Sequence, residues 1–334
     1  MQAIILKSKA GTRFHFGEAL GSSEGKNANV QQAISSILHS DTLFSAIVNA
    51  WALRSPETIG DFIAACQRNE FKISSGFYCL KTNNSTIFFL PKPVTLNLCP
   101  ADNPKVLKRV KMISAGVWER GLTPKDWFDE KQCTLLQNDT VVALKEEISE
   151  RIKLYESLTS PKVKARTENR EGSFFWQTNL HLLSDKNHEV NWYFIIDHRL
   201  NDTLKDHLAD ALQTMTQLGI GGERSSGCGS LTGYEKVDFS LNLPEAQPYQ
   251  ASISLVIPKA DELSGKCFYL TMKRGGRYLD HHEYLKMIQA LAEGAVFDKN
   301  IQGQIVALKE HPLILRYGLN LTLPLHHNFV NNLI

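Results

Sequence analysis

Long apolar runs are missing from this 334-residue chain. The opening stretch Met1–Phe16 offers only Ala3–Leu6 before Lys7 and Lys9, and no later segment approaches the roughly 18 apolar residues of a membrane helix. Neither a signal peptide nor a span is expected, and the cytoplasm is the expected compartment. Cysteine is sparse: six residues at positions 66, 79, 99, 133, 228 and 267, with no C-x-x-C pair and no His pairs at matching spacing. That excludes a zinc framework and predicts reduced, mostly buried thiols. A G-x-x-x-x-G-K-[ST] phosphate loop is absent too. Overall charge is small, a formal +2, so composition alone names no polyanionic partner. With 43% apolar and 22% charged residues, what remains is an ordinary globular chain long enough for two cores.

The most distinctive stretch is Gly219-Ile220-Gly221-Gly222-Glu223-Arg224-Ser225-Ser226-Gly227-Cys228-Gly229. Five glycines free its backbone for positive φ and close approach, and consecutive amides in such a loop can form an anion nest. Arg224 adds a planar donor fork. Upstream, Leu204, Leu208, Leu212, Met215 and Leu218 recur at helical spacing over Asp202–Leu218; downstream, Ser230–Leu241 reads as a strand. A loop after a helix C-terminus sits where the dipole repels anions, the reverse of a nucleotide-binding P-loop. A contact with a polyanion backbone suits it better than an NTP site.

Charge is segregated along the chain. Lys105–Arg120 carries five basic residues against Glu119, and Arg151–Arg170 six against Glu156 and Glu168, a net +4 each. Solvated faces and a polyphosphate groove both fit such segments.

The order of elements predicts an α+β protein of two tandem ferredoxin-like (RRM-like) modules with an irregular, partly helical insertion. Residues 1–94 form the first: strands at Gln2–Lys9 and Arg13–Gly17, a polar Gly/Asn-rich loop at Ser22–Gln32, helices through Leu53 and from Pro56 to Arg68, and strands at Phe71–Leu80 and Ser85–Leu90. In the first helix Ser40 or Asp41 is the expected cap, and Leu43, Phe44, Ile47, Val48 and Trp51 the apolar face. Residues 95–172 form the insertion, with a charged helix at Val141–Leu158 and an exposed basic segment at Ser160–Gly172. Residues 173–334 form the second module, including the glycine loop and a short helix at His282–Ala292.

Five stretches in order carry a family resemblance: Phe14-His15-Phe16-Gly17, His39-Ser40-Asp41-Thr42-Leu43-Phe44-Ser45-Ala46, Phe89-Leu90-Pro91-Lys92-Pro93, Gly219–Gly229, and Arg316-Tyr317-Gly318. Together they resemble the RAMP superfamily of CRISPR proteins, in particular the Csm-type subunit that caps the crRNA 5′ end in type III-A effector complexes. The equivalent type III-B subunit is the near alternative. The resemblance implies a non-catalytic, cofactor-free RNA-binding subunit. Its implied partners are the crRNA 5′ tag, the large polymerase-cyclase subunit and the adjacent RAMP backbone subunit, with target RNA reached only through the crRNA and no membrane.

Candidate RNA contacts follow. In the glycine loop they are Gly219, Gly221, Gly222, Arg224, Ser225, Ser226 and Gly227. In the basic segment they are Lys162, Lys164 and Arg166. Lys273 and Arg274 open a smaller basic glycine turn, for which a plain hairpin is an equal reading. His39 and Ser40 are positioning candidates. As an enzyme alternative, His39 or His15 would be the general acid–base of a metal-independent crRNA-processing endoribonuclease. His281-His282 and His326-His327 diverge too much to chelate a metal if they lie on strands, and no metal site is expected.

Overall fold

A computed structural model describes residues 1–17, 34–83, 85–100, 103–164, 172–244, 248–278 and 283–330. The polar loop expected at Ser22–Gln32 therefore lies outside the described residues, as do Arg166, Arg170, His281 and His282. No helix of the described residues is long and apolar enough to cross a membrane.

Through residue 239 the chain runs β1 (Gln2–Lys7), β2 (Arg13–Phe14), α1 (Ser40–Arg54), α2 (Ile59–Gln67), β3 (Phe71–Ile73), β4 (Phe77–Lys81), β5 (Thr86–Pro91), α3 (Pro104–Arg109), β6 (Met112–Ser114), α4 (Ala115–Arg120), β7 (Cys133–Leu136), β8 (Val141–Leu144), β9 (Tyr155–Lys164), β10 (Ser173–Leu182), β11 (Glu189–His198), α5 (Asp202–Leu218) and β12 (Gly233–Asp238). The main sheet orders them β12-β1-β11-β4-β5-β6-β8-β7, with β3 also on β11. Its first four strands are mutually antiparallel. Reading β1-α1-β4-β11-α5-β12 along the chain gives a ferredoxin-like module with spatial order 4-1-3-2.

The mixed α+β class is thus present, but the strands do not pair along the expected 1–94 and 173–334 partition. β11, α5 and β12 complete the sheet begun by β1 and β4, so the glycine loop belongs to the first ferredoxin-like module. Everything from β5 to β10 is inserted between its second and third strands. Central strands β1 and β11 are nearly all apolar and buried (Ala3–Leu6, Trp192–Ile196), as a covered sheet requires.

Helix α1 buries Leu43, Phe44, Ile47, Ala50 and Trp51, with Trp51 stacked on Phe62 of α2 at 4.1 Å. Such an aromatic pair adds about 0.5–1.5 kcal/mol beyond its buried area. Its expected cap differs: the chain enters through His39, whose carbonyl accepts from Thr42 and Leu43, while the Ser40 and Asp41 side chains point elsewhere.

The charged helix expected over Val141–Leu158 is instead β8, a turn and the start of β9. Val141-Val142-Ala143-Leu144 is buried throughout and pairs with β6 and β7, and Glu147 closes the turn by accepting from the Leu144 amide at 2.9 Å. Sheet burial overrode the helix-forming charges that follow.

After Tyr249 come ten short strands: β13 (Gln250–Ser252), β14 (Cys267–Phe268), β15 (Thr271–Arg274), β16 (Arg277–Tyr278), β17 (Glu283–Tyr284), β18 (Ile288–Leu291), β19 (Val296–Phe297), β20 (Val306–Lys309), β21 (Ile314–Arg316) and β22 (Thr322–Pro324). The helix expected at His282–Ala292 is not formed: β18 pairs with β15 instead. This region shares the main core through Ala251, Ile253, Tyr317, Leu319, Leu321 and Leu323. Tyr317 packs on Phe44 at 4.8 Å, and its hydroxyl accepts from the Ile73 amide at 2.8 Å.

Candidate nucleic-acid interface

The glycine loop leaves α5 through Gly219, with φ of 76°, and folds back against residues 13–16. Gly222 donates to the His15 carbonyl at 2.8 Å, Gly229 to Arg13 at 2.6 Å, and Ile220 to Gly229 at 3.0 Å. Ser226, Gly227 and Cys228 donate to carbonyls inside the loop. Three glycines are compelled by space, Gly219 because a Cβ there would lie 2.7 Å from the Gly229 carbonyl oxygen. A Cβ on Gly229 would lie 1.8 Å from the Ile220 carbonyl oxygen, and one on Gly221 2.7 Å from that of His15. These amides are committed to the fold, so the anion nest expected from the glycines is largely closed.

What the loop offers outward is its side chains. Arg224, Ser225 and Ser226 are exposed, as are Gly222 and Gly227, whereas Gly219 is buried. The Arg224 side chain makes no ion pair or hydrogen bond among the described residues. Arg13 lies beside it, donating to the Ser226 carbonyl at 3.2 Å. Burial pushes the Cys228 thiol up, with the charges of Arg13, Glu223 and Lys162 acting on it; Lys162 of β9 pairs opposite Phe175 of β10. Lys164 pairs opposite Ser173 at the far end of this hairpin.

The β9–β10 hairpin carries a feature that sequence reading missed. Val163 faces Phe174 and Pro161 faces Trp176 across it, and Phe174 and Trp176 are 61% and 42% exposed, edge to face at 5.5 Å. A strand of alternating apolar residues reads as half-buried; here the outward face is the apolar one, and no element among the described residues covers it.

His39, Ser40 and Arg274, expected as RNA contacts, are all three buried and bonded within the chain. The His39 ring meets the Ser35 hydroxyl through Nε2 at 3.1 Å and the Glu293 carboxylate through Nδ1 at 2.8 Å, and Ser75 donates to that same carboxylate. Burial opposes Glu293's charge, and the facing His39 and the Ser75 hydroxyl more than offset it, leaving its carboxyl below the usual range. Ser40 Oγ accepts from the Leu255 amide at 3.1 Å. Asp41 takes a forked pair from Arg274, at 2.9 and 2.8 Å, and a third bond from Arg316 Nη1 at 2.5 Å. Burial alone would raise the Asp41 carboxyl; the Arg274 charge and fork, then Arg316 and His39, reverse that and hold it well below the carboxylate range.

The His-Ser-Asp run is therefore a joint between α1 and the C-terminal region, with each of its three side chains engaging that region. His15 is buried as well, its Nδ1 3.0 Å from the Thr178 carbonyl. Each of the two histidines is 5% exposed. Lys273 is exposed on β15, away from Arg274's inward fork. No cluster of three or more potential metal ligands occurs among the described residues. In the basic stretch Lys105–Arg120, two charges are already spent, Arg109 on Asp139 and Arg120 on Glu146.

A ferredoxin-like core with a glycine-rich loop after its second helix, held against the strand that follows β1, agrees with the RAMP-superfamily resemblance carried by the five sequence stretches. The likeness narrows to Csm4. Residues 245–325 match the family model of the CRISPR Csm4 C-terminal domain. The chain is 26% identical to the CRISPR system Cms protein Csm4 of Methanocaldococcus jannaschii, over 91% of this chain and 88% of that one. The fold is shared with a chain of the Csm3–Csm4 subcomplex of the type III-A interference complex (TM-score 0.70, 22% identity, 98% and 100% covered). It is shared also with a chain of a Csm1–Csm4 cassette bound to AMPPNP (TM-score 0.58, 17% identity, 97% and 96% covered).

Proposed function

We propose that this chain is a non-catalytic RNA-binding subunit of a type III-A CRISPR effector complex, holding the 5′ tag of crRNA. In that complex it bridges the large polymerase-cyclase subunit and the first RAMP backbone subunit. The bridging role is supported by the fold relatives, which were solved as Csm3–Csm4 and Csm1–Csm4 assemblies. The observation that carries the RNA role is the exposed, unpaired Arg224 with Ser225 and Ser226 on a rigidly backed loop, flanked by Arg13 and Lys162 and followed along the β9–β10 hairpin by exposed Phe174 and Trp176. Cations beside aromatic faces are what a single strand needs, since phosphates supply affinity and unstacked bases supply planar surface.

The test is reconstitution of the complex with Arg224→Ala and, separately, with Phe174→Ala/Trp176→Ala. Both are expected to lower crRNA retention, the first with a shallower salt dependence by about 0.7 log unit per log unit of salt. Unchanged crRNA content in both would overturn the assignment. Incubating the purified chain with labelled repeat RNA, without metal, tests the non-catalytic part; specific cleavage would refute it.

A further inference from the structure

The main sheet ends on β7, and a cleft of about 290 Å³ opens at that end. Cys133, Thr134 and Leu135 all line it. Successive residues of a strand point to opposite faces, so a cleft touching all three lies along the strand's edge, not on a face. The ladder says which peptide groups look into it. Lys145 donates to the Gln132 carbonyl at 2.8 Å, which makes Gln132, Thr134 and Leu136 the residues bonded toward β8. The peptide groups of Cys133, Leu135 and Gln137 therefore turn outward. Asp129 takes the Cys133 amide at 3.0 Å and Ile152 the Gln137 amide at 2.9 Å. Between them, Leu135 presents its amide and carbonyl at the open edge.

The remaining lining divides into floor and rim. Trp127 and Cys133 are buried, and Leu135 is half-buried. The Trp127 indole is already spent on the Leu122 carbonyl at 2.8 Å, and burial pushes the Cys133 thiol up to about 12, so the floor is uncharged. Thr134, 4% exposed, adds a hydroxyl with no partner among the described residues. Glu130, Lys145, Ser149 and Arg151 form an exposed rim. Lys145 Nζ donates to the Ser149 carbonyl at 3.0 Å. Arg151 and Glu130 meet only at 3.6 Å, with side chains 64% and 87% exposed, a pairing too solvated to hold either one. Two cations against one carboxylate leave the rim net positive.

We infer that this edge cleft receives an extended segment of a protein partner. One apolar side chain of that segment rests on the Trp127–Cys133 floor, an acidic residue faces Lys145 and Arg151, and its main chain pairs with Leu135. The inference rests on the assembly reading above and gives that assembly a contact at the end of the sheet opposite β12. A peptide backbone meets an open strand edge group for group, and a pocket beside the edge selects its side chain. An apolar floor inside a charged rim is also how protein interfaces seat their anchors. A nucleic acid suits the cleft less, because Glu130 repels phosphate and the Trp127 ring is too buried for a base to stack on.

The experiment is reconstitution of the whole effector complex from purified subunits and crRNA, with the photo-crosslinking residue benzoylphenylalanine replacing Ser149 on the rim. Irradiation should join this chain to one partner subunit. Mass spectrometry should place the bond in a segment with an apolar residue next to an aspartate or glutamate. Arg151→Glu should cut the crosslink yield about fivefold, and changing the partner's acid to lysine should restore most of it, as a charge pair demands. Alanine in place of the partner's apolar residue should cut the yield about tenfold. The melting temperature of the chain alone should not move with Arg151→Glu, since that side chain is exposed. If the complex assembles, four results overturn the site: no crosslink, a crosslink to RNA or only within this chain, a segment lacking either residue, or a charge swap without effect. The assembly reading survives each of them. Failure of the unmodified chain to join the complex would overturn that reading, and the site with it.

Discussion

Replacing Asp41 with Asn would keep the shape of the joint and delete its charge. In the native chain one buried carboxylate faces both Arg274, 6% exposed at its side chain, and Arg316, 11% exposed, so the variant leaves two buried guanidiniums with a neutral acceptor. Breaking a buried pair this way costs about 3–5 kcal/mol, because the orphaned charges have lost their water and gained nothing. Against the 5–15 kcal/mol that holds a typical domain together, that is enough to detach the C-terminal region before the ferredoxin core melts. Urea titration is expected to split into two transitions. Fluorescence of Trp51, Trp127 and Trp192 in the core would follow the later one, while Trp118, whose indole donates to the Pro324 carbonyl at 3.0 Å, and protease cleavage beyond residue 249 follow the earlier. The matching apolar replacement Asp41→Leu/Arg274→Met/Arg316→Met should recover most of the loss, since removing all partners leaves no charge stranded. The pH dependence has a definite sign. Asp41's folded carboxyl lies below its unfolded value near 3.9, so its stabilisation is complete above that value and lost only as pH falls through the folded one. The Asp41→Asn penalty should therefore be flat from pH 5 to 8. A single unshifted transition, or a triple variant as weak as the single one, would refute the reasoning.

Gly229→Ala places a methyl group into the Ile220 carbonyl at a φ of +73°, and should cost at least about 2 kcal/mol by thermal melting, whereas an unchanged melting temperature would mean the loop is not packed as described. Arg224→Ala, on an exposed and unpaired side chain, should leave the same melt within about 0.5 kcal/mol of native. Lys92, in the Leu-Pro-Lys-Pro stretch, donates to Asn97 and to the Leu107 carbonyl at 2.7 Å each; burial, with the Lys111 charge, pulls its ammonium down to about 8. The unfolded chain then binds the extra proton between about pH 8 and 10.4, so native stability should rise across that window relative to Lys92→Met, by up to roughly 3 kcal/mol. A constant difference between the two chains over pH 7–10.5 would sink it.

Local chemistry was legible from sequence where the deciding neighbours were close in the chain. The α1 face, α5 and the glycine loop are of this kind, since three- and four-residue spacing and glycine crowding are short-range signals. The roles of His39, Ser40 and Arg274 were not legible. Their partners Glu293, Leu255 and Asp41 are more than 200 residues away, and a polar run at a helix start looks the same whether it faces solvent or another region. The same distance hid the glycine loop's backing. Nothing in Gly219–Gly229 says that the chain at Arg13–Phe16 will take its amides. Val141–Leu158 misled for the opposite reason, because Lys145, Glu146 and Glu147 favour helix locally while the four apolar residues before them complete a sheet.

Splitting the ferredoxin-like module has a consequence for how the chain is made. β1 is synthesised well before both its neighbours, since β11 and β12 lie between Glu189 and Asp238. Until those residues emerge, an apolar strand made of Ala3, Ile4, Ile5 and Leu6 has two open edges and no sheet to join. The inserted β5–β10 region is synthesised in between, so β1 must wait through nearly two hundred residues of translation. High contact order of this kind slows folding and leaves a sticky edge available to other chains. Synthesis beside a holdase, or slowed elongation before residue 238, should then raise the soluble yield more than any change to the finished structure.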